Sequence, residues 1–278
     1  MHTMRAKSIK LSRWKRKWFI HLERLTNRIL SPVVSVSSKP VIILGNQKSG
    51  TTAIAALLAH LTGKSVTLDI EPLWRFPDLA LFRKEIPFAS FVTKNRYLFS
   101  RDIIKEPWLT FFYNDLRSIF PDAKYVFVIR DPRENIRSLL NRLKLPGDLE
   151  QLTWEDIQQL EPKWQIIFMG DLIGVPQGHY IEILAHRWVE AAKIYLKNQD
   201  NMILVQYESF ELNKMKTIEQ LAEQLGFEPK YSIKSLIHKP FQPPGNRKIS
   251  LVDFFGEKNL KRIHKVCAEY MEIFHYIF

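Results

Sequence analysis

Val41-Ile42-Ile43-Leu44-Gly45-Asn46-Gln47-Lys48-Ser49-Gly50-Thr51-Thr52 reads as a buried strand, a phosphate-binding loop and the start of a helix. The apolar run Val41 to Leu44 is short and β-branched, as a parallel strand covered on both faces requires. Apolar residues then recur at Ile54, Leu57, Leu58 and Leu61 with the helical period, and Gly63 ends the helix. Backbone N–H groups at such a helix start lack an internal acceptor. With the helix dipole they favour an anion, most naturally a phosphate. Gly45 to Gly50 followed by Thr-Thr is close to the nucleotide-binding pattern G-x-x-x-x-G-K-[ST]. One position differs: Thr51 follows Gly50 where the pattern has lysine, and the loop's only lysine is Lys48.

In an ATPase the lysine after the second glycine reaches the β- and γ-phosphates, and a second strand ends in an aspartate for the metal. The second strand here, Tyr125-Val126-Phe127-Val128-Ile129, ends instead in Arg130. An arginine at that point suits direct pairing with a phosphate and no metal. Asp131 suits the N-cap, Pro132 the first helical position, and Glu134 completes a D-x-x-E capping box. Ser138 lies about two turns along that helix, on a face that can turn back toward Arg130. The pair either shares one phosphate or forms an ordinary surface contact.

The 278 residues suffice for one large domain or two small ones, with a globular composition of 46% hydrophobic residues. The single cysteine, Cys267, excludes a disulfide within the chain and fits a reducing compartment, so a cytoplasmic location is expected. No apolar run reaches transmembrane length, and charges interrupt the N-terminus throughout, unlike a secretory signal. Net charge is +12. Residues 1–30 hold nine Lys/Arg against one acid, Glu23, which places +8 of that charge in an N-terminal arm. Trp14, Trp18, Leu22, Leu25 and Ile29 recur there at helical spacing among basic residues. Such a helix either lies on an anionic membrane surface or packs its stripe on the domain. The arm and a Ser-rich linker occupy 1–38; the domain proper spans 39–278.

Strand and helix signals alternate through that domain, which predicts an α/β fold: a parallel sheet flanked by helices in three layers, like the P-loop nucleotide-binding proteins. Strands are expected at 41–45, 65–68, 102–105, 124–130 and 202–206. Helices are expected at 51–62, 108–120, 132–143, 155–168, 180–198, 214–226 and 257–273. Segments 69–101 and 145–180 read as irregular and rich in proline and aromatics, candidates for substrate walls beyond the strand ends.

Together these motifs resemble a known family, the PAPS-dependent sulfotransferases, whose donor is 3′-phosphoadenosine 5′-phosphosulfate (PAPS). Lys48-Ser49-Gly50-Thr51-Thr52 resembles the family's 5′-phosphosulfate loop. Tyr125 to Ser138, an apolar strand followed by R-D-P-R-x-x-x-x-S, resembles its 3′-phosphate motif. Phe120 to Lys124 and Val205-Gln206-Tyr207-Glu208-Ser209-Phe210 are similar to further family segments. The resemblance implies that Lys48, Ser49, Gly50, Thr51 and Thr52 bind the 5′ end, and that Arg130 and Ser138 bind the 3′-phosphate. It also implies that Tyr207 contacts the adenine side and Lys48 the bridging oxygen of the leaving phosphate. Asn246-Arg247-Lys248 stands near the place of the family's R-K-G segment without its glycine, so Arg247 and Lys248 are carried to the 3′-phosphate as well. The implied reaction needs no metal.

The family's base is often a histidine, or in some branches a carboxylate, near the end of the strand before the arginine strand. Arg101-Asp102-Ile103-Ile104-Lys105-Glu106-Pro107-Trp108 contains no histidine. Glu106 is the candidate base if burial raises its pKa; otherwise it pairs with Lys105 or an arginine. Lys105 is implied to help hold the sulfuryl group, and His179 and His186 are the alternative bases. The expected reaction moves a sulfuryl group from PAPS to a hydroxyl or amine of a small-molecule, lipid or carbohydrate acceptor. Trp74, Phe76, Phe88, Phe91, Trp108 and Trp164 admit an apolar acceptor or a plain core. The competing readings are a P-loop small-molecule kinase using ATP-Mg and a non-enzymatic basic protein acting through its arm. No nucleic-acid partner is expected.

Overall fold

The computed structural model describes residues 13–74, 79–239, 241 and 249–276, without the side chains of residues 13–21 and Trp74. The strands are β1 (Val41–Gly45), β2 (Val66–Thr67), β3 (Ile103–Lys105), β4 (Lys124–Ile129) and β5 (Met202–Gln206). The helices begin with α1 (Arg13–Leu30), α2 (Thr51–Thr62), α3 (Leu79–Phe82), α4 (Phe88–Lys94), α5 (Tyr113–Ile119) and α6 (Pro132–Leu143). They continue with α7 (Trp154–Gln158), α8 (Pro162–Gln165), α9 (Tyr180–Lys197), α10 (Tyr207–Leu212), α11 (Lys214–Gln224) and α12 (Leu251–Ile273).

Among the described residues the sheet has five strands, all parallel, in the order β2-β3-β1-β4-β5. Alternation along β1 explains the three layers. Ile42 and Leu44 face a core shared with Leu139 of α6, Trp188 of α9 and Ile263 of α12, while Val41 and Ile43 face one shared with Leu57 of α2 and Leu221 of α11. The chain leaves β1 toward β2 and β3, then returns to β4 on the other side. That reversal opens a crevice at the carboxyl ends of the central strands, where open α/β sheets bind ligands.

The expected strands are present within two residues of their limits, and α2 spans 51–62 as expected. The expected helix over 108–120 starts with a tighter 3₁₀ turn, Pro107–Phe112, before α5. The expected helix over 155–168 is broken into α7, α8 and a 3₁₀ turn, with Pro162 starting α8 because proline tolerates only a first-turn position. The last helix begins earlier than 257, at Leu251, and carries a non-helical residue, Gly256. The irregular 69–101 segment holds α3 and α4, and its aromatics Phe88 and Phe91, with Trp108 beyond, are buried in the core rather than lining a substrate wall. Phe76 and the side chain of Trp74 lie outside the described residues.

Candidate active site

β1 delivers the loop at its buried end, and two glycines set the loop's shape. A Cβ on Gly45 (φ 137°) would lie 2.3 Å from the carbonyl oxygen of Val128 on β4, so only glycine lets the strands stay this close. Gly50 takes φ 97° as the N-cap of α2, and a Cβ there would strike the Tyr207 ring at 2.3 Å. No side chain caps α2. Its first N–H groups therefore face the loop with the positive end of the helix dipole behind them.

Lys48 sits at φ 70°, a left-handed conformation that costs a non-glycine residue about 1–2 kcal/mol. Arg130, the first residue past β4, helps hold it there: its Nη1 donates to the Lys48 carbonyl at 3.1 Å. The Arg130 guanidinium also lies 4.5 Å from the Tyr207 ring centroid and donates to Glu134 at 3.4 Å. Its own carbonyl accepts from Trp188 Nε1 at 2.8 Å. The two halves of the sequence motif thus meet through one hydrogen bond. Tyr207, at the start of α10, braces both Gly50 and Arg130. Ser138 is half-buried on α6 and makes no hydrogen bond to Arg130.

The local electrostatics favour an anion. Burial pushes the Lys48 ammonium down to about 8, and the positive charges of Arg142, Arg130 and Lys105 add to the shift. Cations crowded this way repel one another until a polyanion enters, which would return Lys48 toward its ordinary value.

Glu106 follows β3, the strand beside β1, and is buried. Its Oε2 accepts from the Ile70 N–H at 3.0 Å and its Oε1 from the Trp108 N–H at 3.1 Å. Burial pushes its carboxyl up to about 7; Lys105 opposes the shift and Asp69 adds to it. Lys105 does not take Glu106 as its ion-pair partner: its Nζ donates to Asp69 at 2.5 Å. An ammonium has three protons, so two remain for other acceptors. His179 is committed elsewhere, accepting the Ile181 N–H at the start of α9 and contacting the Glu150 carbonyl at 2.9 Å.

The capping box expected at Asp131 is only half formed. Asp131 accepts from the Arg133 N–H at 2.8 Å, but Glu134 turns away to pair with Arg137 at 2.5 Å and Arg130 at 3.4 Å. Two guanidinium groups outcompete a backbone N–H for that carboxylate. Glu208 supplies the missing acceptor, taking the Asp131 N–H at 3.0 Å. Arg247 and Lys248 lie outside the described residues. The next described residue, Ile249, is tied to α6, its carbonyl accepting from Arg137 Nη1 at 2.8 Å.

Three side chains to which the motifs assign no role, Asn135, Arg187 and Gln47, complete the site. Asn135 of α6 donates through Nδ2 to the Gln47 carbonyl at 2.9 Å and to Ser49 Oγ at 3.0 Å, and accepts from Asn46 at 3.1 Å. It clamps loop residues Asn46, Gln47 and Ser49 onto α6. Arg187 of α9 is fully buried, 4.0 Å from the Trp108 ring centroid, and donates through Nε and Nη2 to Gln47 Oε1 at 3.2 and 2.7 Å. Burial pushes its guanidinium down to about 9 while Glu106 opposes that shift. Gln47, gripped through its oxygen, leaves Nε2 buried without an acceptor. The signal for both Arg187 and Asn135 is a polar residue on a helix's apolar face, in register with Leu184 and Ala191 for one and Leu139 for the other.

A sulfotransferase-domain family model matches residues 38–242. The chain belongs to the sulfotransferase family. It is accordingly a PAPS-dependent transferase with an α/β fold. This sulfotransferase shares its fold with sulfotransferase STF9 from Mycobacterium avium, with TM-score 0.52 and 15% identity over 93% of this chain and 82% of that one. It is also similar to STF1 from Mycobacterium tuberculosis, with TM-score 0.45 and 15% identity over 90% and 86% of the two chains. Mouse SULT7A1 complexed with PAP gives TM-score 0.45 and 13% identity, over 90% of each chain. No curated protein sequence matches the sulfotransferase.

Proposed function

We propose that this sulfotransferase moves the sulfuryl group of PAPS to a hydroxyl or amine of a small-molecule, lipid or carbohydrate acceptor in the cytoplasm. The observation that carries the reading is the Arg130 to Lys48 hydrogen bond at 3.1 Å. It sets a cation beside the phosphate loop, where a metal-dependent NTPase keeps its aspartate.

PAPS supplies an activated sulfuryl group on a phosphate that leaves with added negative charge. Lys48 carries the positive charge that meets this developing charge at the bridging oxygen. Ser49, Gly50, Thr51 and Thr52 hold the 5′ end through loop N–H groups and hydroxyls. Arg130 takes the 3′-phosphate with Ser138, Arg247 and Lys248, and Tyr207 braces Arg130 on the adenine side. Glu106 takes the proton of the attacking hydroxyl or amine. Two backbone N–H groups, from Ile70 and Trp108, orient its carboxylate. Lys105 offers its remaining protons to the sulfuryl oxygens. Arg187 and Gln47 act as positioning residues that join the donor loop to the buried Trp108 ring beside Glu106.

The reading predicts release of PAP from PAPS in the presence of EDTA, across a panel of phenols, alcohols and primary amines. No turnover of ATP is expected with or without Mg²⁺. Phosphorylation of any panel member by ATP-Mg, with PAPS inert, would establish the small-molecule kinase instead.

A further inference from the structure

We infer that the outer face of α1, formed by Leu22, Leu25 and Ile29 with Val33 in the turn just past its end, is a docking surface for an anionic lipid bilayer within the basic N-terminal segment. The helix is turned opposite to one that packs an apolar stripe on its own domain. Its Asn27 faces inward, as does Ser31 just past its end. Asn27 Nδ2 donates to Asn95 Oδ1 at 2.8 Å, and the Tyr97 N–H donates to Ser31 Oγ at 3.2 Å. Arg24 pairs with Glu71. The apolar residues face solvent: Leu22, Leu25, Ile29 and Val33 are 37%, 44%, 66% and 77% exposed.

These exposures are not scattered. Among the described residues, four of the eleven exposed large apolar side chains fall within residues 22–33. At 3.6 residues per turn, Leu22, Leu25 and Ile29 lie within roughly 60° of arc, and Asn27 points to the other side. Isolated exposed apolar residues need no explanation, whereas a contiguous stripe marks an interaction surface. In the sequence, Trp18 and Trp14, residue types suited to a membrane interface, precede Leu22 at helical spacing; their side chains lie outside the described residues.

Charge selects the occupant. Nine Lys/Arg against one acid in residues 1–30 attract an anionic surface, and an apolar stripe flanked by such charge enters the headgroup boundary of a bilayer. A second copy of the chain would bring two such segments together and repel. A nucleic acid would use the charge and leave the stripe in water. None of the described helices is long and apolar enough to cross a membrane, so the contact is with the surface.

The test is co-sedimentation of the full chain with vesicles of phosphatidylcholine alone and of phosphatidylcholine with 30 mol% phosphatidylglycerol. The expected result is binding to the anionic vesicles only, weakened by 0.5 M NaCl, and reduced at least tenfold in the double variant L25Q/I29Q, which removes apolar surface without changing the charge. Both positions are exposed, so the double variant should keep the parent's circular dichroism and melting temperature. Undiminished binding by L25Q/I29Q would mean attachment by charge alone and overturn the proposal. So would equal binding to neutral vesicles, absence of binding, or a dimer in light scattering that L25Q/I29Q dissolves. Sedimentation is read without turnover, so its failure leaves the sulfotransferase reading standing, and failure of PAPS turnover leaves this surface standing.

Discussion

Replacing Lys48 with methionine is expected to lower kcat about 10²–10³-fold, the loss seen when one preorganised stabiliser of developing charge is removed. Methionine keeps the length and apolar stem and removes only the charge. The loop should survive, because what shapes it is backbone: Gly45 against Val128, the Asn135 clamp and the Arg130 bond to the Lys48 carbonyl. PAP affinity should therefore fall far less than kcat. Measured kcat and PAP affinity falling by the same factor would reduce Lys48 to a ground-state contact.

Glu106→Gln is the second large effect, a loss of about 10²–10⁴ in turnover with PAP affinity retained. The pH profile separates a base from a structural carboxylate. Glu106 must be ionised to accept a proton, and burial holds its carboxyl near 7, so kcat/KM of the wild type should rise with pH through about 7. Lys48 must keep its proton, and its ammonium sits near 8, so kcat/KM should fall again above about 8. The optimum is confined between these limbs. The acidic limb should vanish in Glu106→Gln and the alkaline limb in Lys48→Met. In kcat the alkaline limb should move upward, because the bound anion favours the charged lysine. An acidic limb that persists in Glu106→Gln would remove it as the base.

The fold was legible because its signals are local. Val41 to Leu44 and Tyr125 to Ile129 are runs that only a doubly covered parallel strand explains, and glycines sit where the loop needs positive φ. That the Lys48 loop meets Arg130 was legible for the same reason, each following a strand end. The supporting side chains were not. Arg187 is 140 residues from Gln47 and 81 from Glu106, and nothing local in α9 says that its buried cation meets the loop after β1. Glu134 matched a capping box by spacing, but the box lost to arginines at positions 130 and 137 that spacing rules do not weigh. The arm shows a third kind of limit. Its amphipathic period was plain, but which face turned to the domain depended on Asn95 and Tyr97, far along the chain.

The central claim is that Arg130 and the Lys48 loop form a metal-independent site for a 3′-phosphorylated adenosine nucleotide. Titration calorimetry in EDTA, comparing PAP with AMP for the wild type and Arg130→Ala, tests it most directly. PAP should bind about 10–100-fold more tightly than AMP, as a charge-assisted hydrogen-bonded pair provides, and Arg130→Ala should erase most of that difference. Equal affinity for PAP and AMP in the wild type, or binding that appears only with Mg²⁺, would contradict it.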